Sequence, residues 1–148
     1  MENDYRGFVT NKGWAHAIAH GSDFLGSSLS HTKFHLTNVS ELFITLKKVI
    51  NRLETPFIDE EESRLASAFK LGVQAENISV EDFIKGIQYI DKELWMQYDA
   101  TKLNTCYRLH TWTLILHHWL IFFSNDSEIK SIVELKLNHY YQKMGYNF

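Results

Sequence analysis

A chain of 148 residues with 45% hydrophobic and 22% charged residues has the length and balance of one globular domain with a substantial core. Its net charge of -3 argues against a nucleic-acid-binding role, because backbone binding relies on clustered Lys and Arg, so no nucleic acid is expected as a partner. The lone Cys106 cannot close an internal disulfide, which suits a reducing compartment. No basic-then-apolar leader opens the chain, and its most apolar stretch, Leu114 to Phe123, is broken by His117 and His118 and too short to span a bilayer. The expectation is a cytoplasmic protein with no membrane partner.

One proline and seven glycines leave little punctuation, so long continuous elements are expected. A first helix is predicted from about Lys12 to Leu29, with Trp14, Ile18, Gly21, Leu25 and Leu29 along one stripe. A second opens at Asn38, with Glu41 placed for a capping box, carries Leu42, Phe43, Leu46, Val49, Ile50 and Leu53, and stops at Thr55-Pro56. Asp59 with Glu62 caps a third, which buries Leu65, Ala66, Phe69 and Val73; Ser79 with Asp82 caps a fourth, striped by Val80, Phe83, Ile84, Ile87, Ile90 and Leu94. The fifth, from about Ala100 to Phe123, is apolar around most of its C-terminal half and should be central. Asn125 or Asp126 caps the last, which carries Ile129, Ile132, Val133 and Tyr140 before Gly145 closes it. No stretch alternates with period two. The fold class is all-α, a single helical domain over residues 1–148. Six amphipathic helices on short loops fit either a compact bundle or stacked antiparallel helix pairs of the HEAT or armadillo kind.

The start of the chain is its most distinctive part. Arg6-Gly7-Phe8, then Lys12-Gly13-Trp14-Ala15-His16, Ala19-His20-Gly21 and Asp23-Phe24-Leu25, resembles the core motif of the bacterial family known as domain of unknown function 2785. That resemblance implies a HEAT-like α-α superhelix with no assigned activity, and members that carry further helices upstream. Met1 stands a few residues before the motif, so a shortened member or a fragment is expected. A stacked helical repeat leaves apolar faces at its ends. The first helix should then expose Trp14, Ile18 or Phe24, or cover them by self-association, and a homodimer near the N-terminal end is expected.

The same segment holds the candidate chemistry. At 100° per residue, His16, His20, Asp23 and Ser27 fall within about 60° of arc, and Trp14, Ile18 and Leu25 lie opposite. His-x-x-x-His aims two imidazoles at one point, and Asp at i+7 offers an oxygen ligand. Cys106, His110, Thr113 and His117 form a second stripe on the fifth helix. Facing stripes would bring His16, His20, Asp23, His110 and His117 around a transition metal such as zinc, able to activate water. The zincin pattern needs Glu directly after its first His, and Ala17 stands there, so a metalloprotease is excluded. The blander reading gives each histidine its own backbone carbonyl and no cofactor. Arg6 could pair with Asp23 or Asp4, or offer a fork to an anion. Ala15, Ala19, Ser22 and Gly26 make a small-residue stripe suited to a close neighbouring helix. Trp95 and Tyr98 could line a groove, and a Cys106–His110 thiol site lacks a legible oxyanion hole. Two functions follow. One is a non-enzymatic module that binds an unknown protein or its own copy, with Arg6, Trp14, His16, His20 and Asp23 as its binding residues. The other is a metal-dependent hydrolytic enzyme on the His-x-x-x-His-x-x-Asp face.

Overall fold

The computed structural model describes residues 8–11, 13–14, 17–34 and 37–146. Six helices carry the described chain: α1 (Ala17–Leu29), α2 (Ser40–Asn51), α3 (Glu61–Gln74), α4 (Val80–Gln97), α5 (Leu103–Phe122) and α6 (Ser127–Lys143). They are preceded by two two-residue strands, β1 (Phe8–Val9) and β2 (Gly13–Trp14), paired antiparallel with Phe8 opposite Trp14 and Val9 opposite Gly13. The expected first helix therefore starts later than Lys12. Asn11 turns the chain at a φ of 65°, a left-handed conformation that Asn tolerates, and Gly13 is a poor helix residue. Trp14 consequently belongs to a strand and not to the α1 stripe.

Capping chemistry sets the other boundaries. Ser79 Oγ accepts from the Asp82 amide at 3.1 Å and Asp126 Oδ1 accepts from Glu128 and Ile129, as the sequence anticipates. The expected Asn38 cap is an Asx turn instead: its Oδ1 accepts from the amide and hydroxyl of Ser40, and α2 begins after Val39 with no side-chain cap. At α3 the roles shift by one residue. Glu61 accepts from the Asp59 amide, Glu60 takes a left-handed φ of 62°, and Glu62 is buried rather than reciprocal.

Contacts between helices two apart in sequence decide between bundle and stack. Along α1 and α3, Asp23 meets Arg64, Gly26 meets Ala68 and Leu29 meets Gly72, so the numbers rise together and the helices run parallel. The same holds for α3 with α5 (Ala66 to Trp119, Lys70 to Phe122), for α2 with α4 (Phe43 to Gly86, Lys47 to Glu93) and for α4 with α6 (Asp91 to Lys136, Trp95 to His139). An up-and-down bundle would make such neighbours antiparallel. Here α1, α3 and α5 form one layer and α2, α4 and α6 the other, and α5 also packs on α2, α4 and α6. Short connections return each helix antiparallel to the one before it. The molecule is a stack of antiparallel helix pairs, with α5 central as its all-round apolarity requires.

The core between the layers is aromatic. Phe43, Phe69, Phe83, Trp112 and Trp119 make a chain of tilted and edge-on ring contacts with centroids 4.8 to 5.9 Å apart. Both indoles are buried with their N–H satisfied, Trp119 donating to the Ala66 carbonyl and Trp112 to Asp91. Asp91 is only 3% exposed and its other oxygen pairs with Lys136 at 3.0 Å. The Trp95 ring packs on Tyr98, His139 and Tyr140 between α4 and α6. Burial holds the Tyr98 and Tyr140 phenols above their ordinary value, with Cys106 beside Tyr98 and Tyr141 beside Tyr140 as secondary causes.

Candidate functional site

The small-residue stripe of α1 acts as packing. Ala19, Ser22 and Gly26 are buried, a Cβ on Gly26 would come within 3.2 Å of the Ala68 backbone, and Ser22 Oγ donates to the Ile18 carbonyl at 2.6 Å. Ile18, one candidate for exposure, is buried in the core. Phe24 is the residue left outside, with 76% of its surface exposed. Asp23 is ion-paired with Arg64 of α3 at 2.7 Å, a partner that the sequence reading did not single out. Arg6 and His16 lie outside the described residues, as does the side chain of Trp14.

The metal stripes do not meet among the described residues. α3 packs on both α1 and α5 and separates them, so the exposed His20 and Asp23 on α1 and the exposed His110 on α5 share no groove. His117 is half-buried against α6. Its Nδ1 lies 2.8 Å from the Thr113 carbonyl, which only accepts, so Nδ1 carries the proton and donates. Nε2 lies 3.2 Å from the Tyr141 hydroxyl, so both ring nitrogens are engaged. No group of three or more His, Cys, Asp or Glu side chains among the described residues is placed to hold a metal ion.

The structure instead opens a cleft beside Phe24. α1 and α2 stand apart, and the space between them, about 360 Å³, is lined by Gly21, Phe24, Leu25 and Ser28 of α1, Phe34, and Leu42, Thr45 and Leu46 of α2. Leu65 and Phe69 of α3 form its floor. No lining residue is charged, and the polar groups are the hydroxyls of Ser28 and Thr45. Ser28 already donates to the Phe24 carbonyl, so little is left to hold a polar ligand. Such a surface favours an apolar side chain or ring, at roughly 25 cal/mol for each Å² removed from water. Sequence periodicity assigns Leu42, Leu46, Leu65 and Phe69 to the core; Leu46, Leu65 and Phe69 are buried there and Leu42 is partly buried against it, and what periodicity misses is that α1 and α2 stand apart above them. The signal was Phe24 itself, an aromatic one residue off the Leu25 stripe. A second hollow of about 260 Å³ lies between α2 and α4 over Phe43 and Gly86.

Among the described residues no helix is long and apolar enough to cross a membrane. No curated protein matches the chain, and no solved structure does. One family pattern does match, over residues 1–122: that of a protein of unknown function, DUF2785. It spans the N-terminal motif and the helices through α5, and the chain belongs to the DUF2785 family.

Proposed function

We propose that the protein is a non-enzymatic, HEAT-like helical-repeat module of the bacterial cytoplasm that binds protein through the cleft between α1 and α2. The observation that carries this reading is an aromatic residue 76% exposed on the rim of an uncharged apolar cleft between α1 and α2. Large apolar groups gathered at one place outside the core mark interaction surfaces. His20 and Asp23 neighbour Gly21 and Phe24 along α1 and, like Arg6, Trp14 and His16, join the proposed surface through the sequence motif. The hydrolytic metal-site alternative has no observation in its favour among the described residues.

The test is a photo-crosslinking amino acid placed at position 24, with position 88 on exposed α4 as control, in cells that make the full chain. Discrete protein adducts from position 24 and none from position 88 are expected. No adduct from position 24, or the same adducts from both, contradicts the reading.

A further inference from the structure

The cleft and its rim carry the features of a two-fold interface, and we infer that the occupant of the cleft is a second copy of this chain. The inference deepens the binding role proposed above and rests on it. A two-fold contact uses the same patch on both subunits, so that patch must hold both a projection and the hollow that receives it. Here both stand on one face: Phe24 projects at 76% exposure beside a hollow of about 360 Å³, room for one aromatic side chain from each partner.

The charges on α2 fit the same symmetry. Glu41, Thr45 and Lys48 are exposed at i, i+4 and i+7, and therefore share one face of the helix. Thr45 lines the cleft, so Glu41 and Lys48 stand on its rim, seven residues and about 10 Å apart along the axis. Neither has an ion-pair partner within the chain among the described residues, although seven other lysines and arginines do. A two-fold axis crossing the cleft at Thr45 sets α2 antiparallel to its counterpart. Glu41 then faces Lys48 of the partner subunit and Lys48 faces Glu41 of the partner subunit. A parallel arrangement would oppose like charges.

The face is small. Helices of 13 and 12 residues are each about 18–20 Å long, and side by side they present roughly 20 by 20 Å. That is about half the roughly 800 Å² per partner of a standard specific interface, so a weak, transient dimer in the upper micromolar range is expected rather than an obligate one.

Sedimentation of the full chain from about 5 to about 500 μM tests the inference. The wild type should pass from monomer to dimer across this range. Phe24→Ser, a change at an exposed site that leaves the core intact, should weaken the dimer at least about 30-fold, the scale of an aromatic anchor. Glu41→Lys alone and Lys48→Glu alone should each dissociate it, because each places like charges opposite twice. Mixing those two variants should restore a dimer, now a heterodimer with both pairs attractive. A monomer at every concentration overturns the inference, as does a dimer indifferent to Phe24→Ser or a mixture that fails to reassociate. If position 24 then crosslinks only to a different protein, the binding role stands and the self-association is wrong; if it crosslinks to nothing, both fall.

Discussion

Two glycines that periodicity alone would treat alike have opposite expectations. A Cβ on Gly86 would sit 2.2 to 2.4 Å from three ring atoms of Phe43, a buried ring itself packed against Phe69 and Phe83. Overpacking of that kind costs about 1–3 kcal/mol, against about 1 kcal/mol gained from better helix propensity. Phe43 has no easy retreat between two neighbouring rings, so the overpacking wins. Gly86→Ala should lower Tm by about 3–8 °C in a thermal melt. At Gly26 the nearest atoms are the half-exposed tip of Leu71 at 3.0 Å and the Ala68 backbone at 3.2 Å, a contact that a small shift relieves. The sequence marked Gly26 as part of a close-packing stripe but gave no such hint for Gly86. Its need for space comes from a ring forty-three residues away.

At the scale of elements, the ties that hold the even layer together are a few long-range polar contacts within an apolar seam. Asp91 on α4 joins α5 through the Trp112 indole and α6 through Lys136. Removing Lys136 leaves a carboxylate 3% exposed with one neutral donor, and an unpaired buried charge is costly. Lys136 is itself partly exposed, so water can soften the loss, and Lys136→Met should destabilise by about 2–3 kcal/mol in urea unfolding. Adding Asp91→Asn removes the stranded charge and keeps an acceptor for Trp112. The double variant should regain part of that loss, and a double variant less stable than Lys136→Met alone would refute this account of the seam. Helix existence and the caps of α4 and α6 were legible because a cap is a local contract between residues two or three apart. The exceptions are physical too: Asn11 turns the chain into a hairpin at positive φ, and Glu60 at positive φ displaces the expected cap at α3. The Asp91 triad was not legible, since its members are 21 and 45 residues apart and each has an ordinary surface reading.

For the molecule as a whole, the choice between bundle and stacked pairs could not be made from stripes, because both bury the same residues. It follows from pairings such as Asp23–Arg64 and Asp91–Lys136, which run in parallel register between alternate helices. The candidate site divides in the same way. Exposure of Phe24 was foreseeable from its place off the apolar stripe, whereas the convergence of two histidine stripes required α1 and α5 to face each other, and α3 stands between them. The feature of this architecture that bears on function is the apolar cleft between α1 and α2.

The claim that this cleft is the working surface is tested most directly by methyl NMR of the full chain across a concentration series. Leu25, Leu42, Leu46 and Leu65 line the cleft, while Leu103 and Leu135 are exposed elsewhere and serve as internal controls. The account requires the four cleft methyl sets to shift together with concentration, the controls to stay still, and Phe24→Ser to abolish the shifts. Cleft methyls that do not move while those of Leu103 or Leu135 do would contradict it.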